Sequence, residues 1–184
     1  MGELFISQYA KKPRTVGAIL PSSRYLAAKM VGEINFETAN VIVEYGPGTG
    51  VFTKELLKRR KQGTVLLLIE INEDFYQYLL EEYSEEKNVH IIHGSAEHIK
   101  QYLEGYGIKC VDYIVSGLPF SSLPKNLSIP ILKEAASILR KEGMFITFQY
   151  TKMKKMFIEQ FFSSMKIQRE FLNLPPAYIF HCQK

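Results

Sequence analysis

The sequence has only two cysteines, Cys110 and Cys182, far apart and in no CxxC spacing. Neither a zinc site nor a disulfide framework is expected from them, and a reduced, cytoplasmic setting fits. No apolar run approaches the roughly 20 residues that a bilayer-spanning helix requires, and the first residues lack the hydrophobic stretch of a secretory signal. Internal repeats, low-complexity tracts and an interdomain linker are missing as well. What remains is ordinary in amount: 46% hydrophobic and 23% charged residues among 184, enough for one core and inconsistent with a disordered or collagen-like chain. A single domain over 1–184 is expected, with 1–33 a helical, basic N-terminal segment and 40–184 an α/β sheet.

Acidic residues are scarce in one place. Residues 1–30 hold Lys11, Lys12, Arg14, Arg24 and Lys29 against Glu3 alone, and the rest of the chain is balanced, so the whole net charge of +4 lies in this segment. It suits a polyanion, either phospholipid headgroups or nucleic acid, or else forms a solvated basic face. Leu4, Phe5, Ile6 and Tyr9 beside Lys11 and Lys12 form an amphipathic pattern stopped by Pro13. That is the composition of a helix lying in a membrane interface, or of a lid packed on the sheet.

Beyond this segment the chain alternates short β-branched apolar runs with amphipathic stretches. The pattern predicts strands at 41–44, 65–70, 89–93, 111–116 and 144–149, and helices at 24–32, 53–61, 73–83, 96–102, 127–139 and around 152–163. Runs such as Val65-Leu66-Leu67-Leu68-Ile69 are apolar at every position, as in a parallel sheet covered on both faces. Two further strands, 167–171 and 178–182, are joined by Asn173-Leu174-Pro175-Pro176 closely enough to form an antiparallel edge. The expected fold is α/β, a doubly wound, mostly parallel seven-stranded sheet.

The most specific stretch is Val41-Ile42-Val43-Glu44-Tyr45-Gly46-Pro47-Gly48-Thr49-Gly50, a strand entering a glycine turn. Its G-x-G-x-G spacing differs from the dinucleotide fingerprint, and Glu44 would repel a pyrophosphate, so a cationic or amino-bearing ligand suits it better. Glu70 ends the next strand, where a carboxylate can take both hydroxyls of a ribose. The pair specifies an adenosine-containing ligand with a positive group.

These residues resemble the first two motifs of class I S-adenosylmethionine-dependent methyltransferases. The resemblance implies that Gly46, Gly48 and Gly50 approach the methionine part, that Glu44 assists its amino group, and that Glu70 holds the ribose. Ser95 and Ala96 fall where the family contacts adenine, although many members carry Asp at the position of Ser95. Ser22, Tyr45, Ile71 and Ser116 complete the implied cofactor-binding set. No metal is implied.

The fourth strand runs into Ser116-Gly117-Leu118-Pro119-Phe120, where such enzymes face their acceptor. Base-methylating members usually carry Asn or Asp before Pro-Pro-Tyr; here that position is Ser116, a weaker acceptor. The segment 116–124 resembles instead that of small bacterial phospholipid N-methyltransferases, distant relatives of the ribosomal RNA adenine dimethylases. The segments 13–24 and 173–177 resemble the same family. Ser116, Leu118, Pro119 and Phe120 are thereby implied as catalytic residues. The dimethylases normally add a helical C-terminal domain, for which the sequence leaves no room after Lys184.

The implied activity is methylation of the amine of a phosphatidylethanolamine-type lipid by a cytoplasmic enzyme attached peripherally to the inner membrane surface, with an anionic membrane as partner. Methylation of adenine N6 in ribosomal RNA, and S-adenosylmethionine binding without turnover, stand as alternatives, and oligomeric state is left open. Tyr9, Tyr45, Phe120 and Tyr178 are candidates to face a methylated ammonium. No paired carboxylate or His–Asp base accompanies the fourth strand, and His90, His93, His98 and His181 form no ligand set.

Overall fold

A computed structural model describes residues 23–184. Helix α1 (Arg24–Met30) precedes β1 (Val41–Tyr45), α2 (Val51–Arg59), β2 (Val65–Glu70), α3 (Glu73–Tyr83), β3 (Val89–His93), a 3₁₀ turn (Ala96–His98), α4 (Ile99–Gly105), β4 (Val111–Ser116), α5 (Lys125–Ile138), β5 (Leu139–Gln149), α6 (Lys155–Glu159), β6 (Ser164–Glu170) and β7 (Ala177–Gln183). The strands form one sheet in the order β3-β2-β1-β4-β5-β7-β6, in which β7 runs antiparallel to both β5 and β6. The mostly parallel sheet and its antiparallel edge are those expected from the sequence.

The all-apolar strands are buried on both sides. Val43, Leu67, Ile69, Ile114 and Phe145 pack under α4 and α5, while Ile42, Leu66, Leu68, Val115 and Ile146 pack under α1, α2 and α3. Polar residues close the helix ends: Ser23 Oγ accepts from Leu26 N at 3.1 Å and Asn72 Oδ1 from Phe75 N at 2.9 Å, satisfying donors that a helix start leaves open.

Four elements differ from expectation by more than two residues at a boundary. β5 begins at Leu139, because the chain leaving α5 pairs with Val111 at once through an irregular register. Arg140, Lys141 and Glu142, polar and outward, hide that extension from a hydrophobicity pattern. β6 starts at Ser164 for a related reason: it is an edge strand with little apolar signature. The stretch at 152–163 keeps only the short α6, and 96–102 opens as a 3₁₀ turn before α4. The predicted helix before Pro13, Tyr9 and Ser22 lie outside the described residues, as does nearly all of the segment 13–24. Among the described residues no helix is long and apolar enough to cross a membrane.

Candidate active site

The carboxyl ends of β1, β2, β4 and β5 meet along one rim. There the backbone of Gly46, Gly48 and Gly50 turns with φ of +63°, +56° and +74°, a region that favours glycine. Gly46 N donates to Ile69 O at 2.9 Å, and Gly117 N donates to Tyr45 O at 2.8 Å, which stitch the turn between β2 and β4. At Gly48 a Cβ would meet no protein atom within 4 Å. At Gly48 the turn therefore offers bare backbone, as close approach by a ligand requires, whereas a Cβ at Gly46 would meet Leu118 and one at Gly50 would meet Tyr83.

Glu70, almost fully buried, accepts from Gly48 N at 3.0 Å through Oε2 and from Asn72 N at 2.8 Å through Oε1. Burial raises its pKa, and the backbone donors oppose that rise. Each oxygen keeps a further lone-pair direction, so the fixed carboxylate can still accept ribose hydroxyls.

Glu44 points to the opposite face from Tyr45 and is fully buried beneath the turn. Its Oε2 accepts from Thr53 Oγ1 at 2.8 Å, whereas Oε1 has no partner among the described residues. Burial chiefly, opposed by the Thr53 hydrogen bond and assisted by the charge of Glu70, pushes its pKa up to about 8. Burial thus favours the neutral form of this carboxyl in the free protein. The repulsion of a pyrophosphate expected from the sequence is weakened to the extent that the neutral form prevails. An unsatisfied carboxyl oxygen is what an incoming ammonium would satisfy. With the bare backbone at Gly48, it makes these residues fit the amino-acid part of S-adenosylmethionine.

Beside the turn lies a small, partly open and mainly apolar cleft. It is lined by Gly46, Glu70, Ile71, Ser95, Ala96 and Leu118 among others, so six of the predicted residues converge on it. Ser95 Oγ donates to Glu97 Oε1 at 3.1 Å and is thus already engaged. Leu123 and Ile131, which the sequence reading missed, close the floor.

The implied catalytic residues divide. Leu118 and Pro119 are partly exposed on the loop after β4. Ser116 is fully buried, and its Oγ accepts from Leu118 N at 3.2 Å, so it braces the loop. Phe120 is fully buried, edge-on to Phe145 with ring centroids 6.0 Å apart, and Tyr45 is also fully buried. Neither presents a ring face to an acceptor, because both side chains point into the core under α4 and α5. Tyr178 is half-buried, with Lys152 and Arg169 already over its ring at 4.9 and 5.3 Å.

Gln149 was not anticipated. Buried at the end of β5, it accepts from Ser121 N at 2.9 Å and donates from Nε2 to Leu118 O at 3.3 Å, clamping the loop from both sides. A polar residue ending a buried run was its only trace in the sequence. Tyr83 was missed too. Its hydroxyl is buried without a partner beside Gly50, and burial pushes its pKa up to about 12.

The profile of the family described as ribosomal RNA adenine dimethylase matches residues 18–169. An ornithine lipid N-methyltransferase from Singulisphaera acidiphila is 32% identical over 98% of this chain and 94% of its own length. A ribosomal RNA small subunit methyltransferase A from a Sulfurihydrogenibium species is 27% identical over 90% of this chain and 68% of its own. Among solved structures, a precorrin-6y C5,15-methyltransferase from Geobacter metallireducens aligns with a TM-score of 0.70 at 14% identity, covering 92% of this chain and 94% of that one, a likeness of fold alone. With the glycine turn, the two buried glutamates and the seven-stranded sheet in register, the chain belongs to the ribosomal RNA adenine dimethylase family of S-adenosylmethionine-dependent methyltransferases.

Proposed function

We propose that this methyltransferase acts on the primary amine of a membrane aminolipid, of the phosphatidylethanolamine or ornithine-lipid type, at the inner membrane surface. The observation that carries the reading is the 32% identity to an ornithine lipid N-methyltransferase along nearly the full length of both chains. Ser116 in place of an Asn or Asp supports it, since the hydroxyl is fully buried, already accepts from Leu118 N and is a weaker acceptor for an adenine amine. When bound, S-adenosylmethionine supplies the methyl group as an electrophile. Within the proposal the protein's part is alignment and exclusion of water. Glu44 takes the cofactor's amino group, Glu70 its ribose, and the cleft beside Ser95 and Ala96 its base, while Leu118 and Pro119 face the acceptor.

The loop 116–122 carries no titratable side chain. The acceptor amine therefore loses its proton before it docks, and kcat/KM rises with pH along the ionisation of the lipid amine itself. The test is transfer from labelled S-adenosylmethionine to vesicles containing phosphatidylethanolamine, to vesicles containing ornithine lipid, and to ribosomal RNA, followed by organic extraction. Label in the organic phase is expected, and the two vesicle arms decide the headgroup. Label confined to RNA would sink the proposal and install adenine methylation, the reading favoured by the family match and the 27% identical relative. Label in neither, with S-adenosylmethionine bound, would leave a binding protein without turnover.

A further inference from the structure

The most conspicuous surface outside the cleft is the turn between β6 and β7. Phe171, Leu172 and Leu174 are 67%, 66% and 75% exposed, although each is a large apolar side chain. The turn is built and not merely loose. Glu170, buried, accepts from Leu172 N at 2.7 Å through Oε1 and pairs with Lys29 Nζ at 3.3 Å through Oε2. Asn173, also buried, accepts from Ser23 N at 2.9 Å and donates to Pro175 O at 2.8 Å. Polar side chains thus brace the backbone from inside while the apolar ones face out, the reverse of what a solvent-facing turn needs.

Charge of one sign surrounds these side chains. Arg169 lies over the Phe171 ring at 4.5 Å and over Tyr178, whose ring also carries Lys152 at 4.9 Å. The Lys152 contact brings the segment after β5 against the turn, and that segment adds Lys154, Lys155 and Met153, the last 86% exposed. Segments 150–156 and 169–178 together hold four basic residues and one acidic one; Glu170 is paired with Lys29 and Lys155 with Glu159, which leaves Lys152, Lys154 and Arg169 as the basic charge of this face. Because Gln149 pairs with Tyr178 and its side chain grips Leu118 O, this face adjoins the acceptor loop on the same rim of the sheet.

We infer that the β6–β7 turn and the segment after β5 form a docking face that inserts Phe171, Leu172 and Leu174 into an anionic phospholipid surface. Exposed apolar side chains ringed by Lys and Arg match the interfacial zone of such a bilayer, where burial of the first and attraction of the second act together. Docked in this way, the face turns the acceptor loop toward the headgroups. The inference rests on the aminolipid reading for its purpose, but its physical content is separate.

The chain has no tryptophan, so Leu172→Trp introduces a single reporter. Its emission is expected to be that of an exposed indole in the free protein. It should shift to the blue on addition of phosphatidylglycerol-containing vesicles, be quenched by bromine-labelled acyl chains, and shift little with pure phosphatidylcholine vesicles. In parallel, Phe171→Ser with Leu172→Ser, and separately Lys152→Glu with Lys154→Glu, should each weaken sedimentation with the anionic vesicles about tenfold or more. S-adenosylmethionine affinity and thermal midpoint report that these variants stay folded. High salt should weaken the wild type toward the charge-reversed variant.

An unshifted reporter in the presence of bound vesicles overturns the inference and places docking elsewhere. Blue emission before vesicles are added overturns it as well, and a size measurement then shows whether a second copy or another part of the same chain covers the turn. Lipid methylation without insertion discards the docking face and keeps the aminolipid reading. Insertion with methyl transfer to RNA alone keeps the face and discards that reading.

Discussion

Glu44 shows how burial of one carboxyl ties stability to binding. Its pKa in the folded chain, about 8, lies above the ordinary 4.5, so between those values the folded state holds the proton more tightly than the unfolded chain. Stability conferred by the protonated form is then complete below the unfolded value and is lost as the pH rises through about 8. Glu44→Gln should remove that slope and raise unfolding free energy at pH 8 by roughly 1–3 kcal/mol, while weakening S-adenosylmethionine roughly tenfold or more. Denaturant titrations at pH 6 and 8, with calorimetry for the ligand, check both. Gly48→Val separates the same two properties differently. A Cβ there meets no described protein atom within 4 Å, so the fold bears chiefly the positive-φ cost, about 1–2 kcal/mol and more for a β-branched side chain, whereas cofactor binding should fall below detection. If binding survives, the bare turn is not where the cofactor approaches.

At the scale of elements, the site depends on how closely β1 and β4 approach and on what holds the loop after β4. A Cβ at Gly117 would lie 2.7 Å from Gly46 O, a backbone atom that cannot move aside without parting the strands. Gly117→Ala should cost about 1–3 kcal/mol and weaken the cofactor, read from thermal midpoint and titration together. Gln149→Leu removes the clamp on Leu118 and Ser121 and leaves Ser121 N without its acceptor, while Leu118 O keeps Phe120 N at 3.0 Å. It should lower kcat while the S-adenosylmethionine affinity stays within a few fold, since no cleft contact is lost. The elements themselves were legible wherever a strand was apolar throughout or a helix had a long face, as in β2 and α3. Legibility failed at the start of β5 and at β6, where pairing with a neighbour and not residue type decides that the chain is extended.

For the whole molecule, the doubly wound topology sends every parallel strand out on one rim, so cofactor turn, cleft and acceptor loop converge though they are distant in sequence. Since that loop carries no base, the pH profile of kcat/KM should follow the acceptor amine and stay in place in Ser116→Ala, with only its height reduced. A profile that moves with that substitution would give Ser116 a part in proton transfer.

The sequence by itself determined the alternation of strands and helices, the glycine turn, the glutamates closing β1 and β2, and the family resemblance. All of these are carried by local pattern and fixed spacing. Only the tertiary structure decided which side chains face the cleft. It turned Phe120 and Tyr45 into the core, spent Ser116 and Ser95 on their own neighbours, left Glu44 with an unpaired oxygen, and brought Gln149 across from β5 to hold the acceptor loop. Orientation and partnership depend on strand register and on which helix covers which face, and neither is written in any one segment.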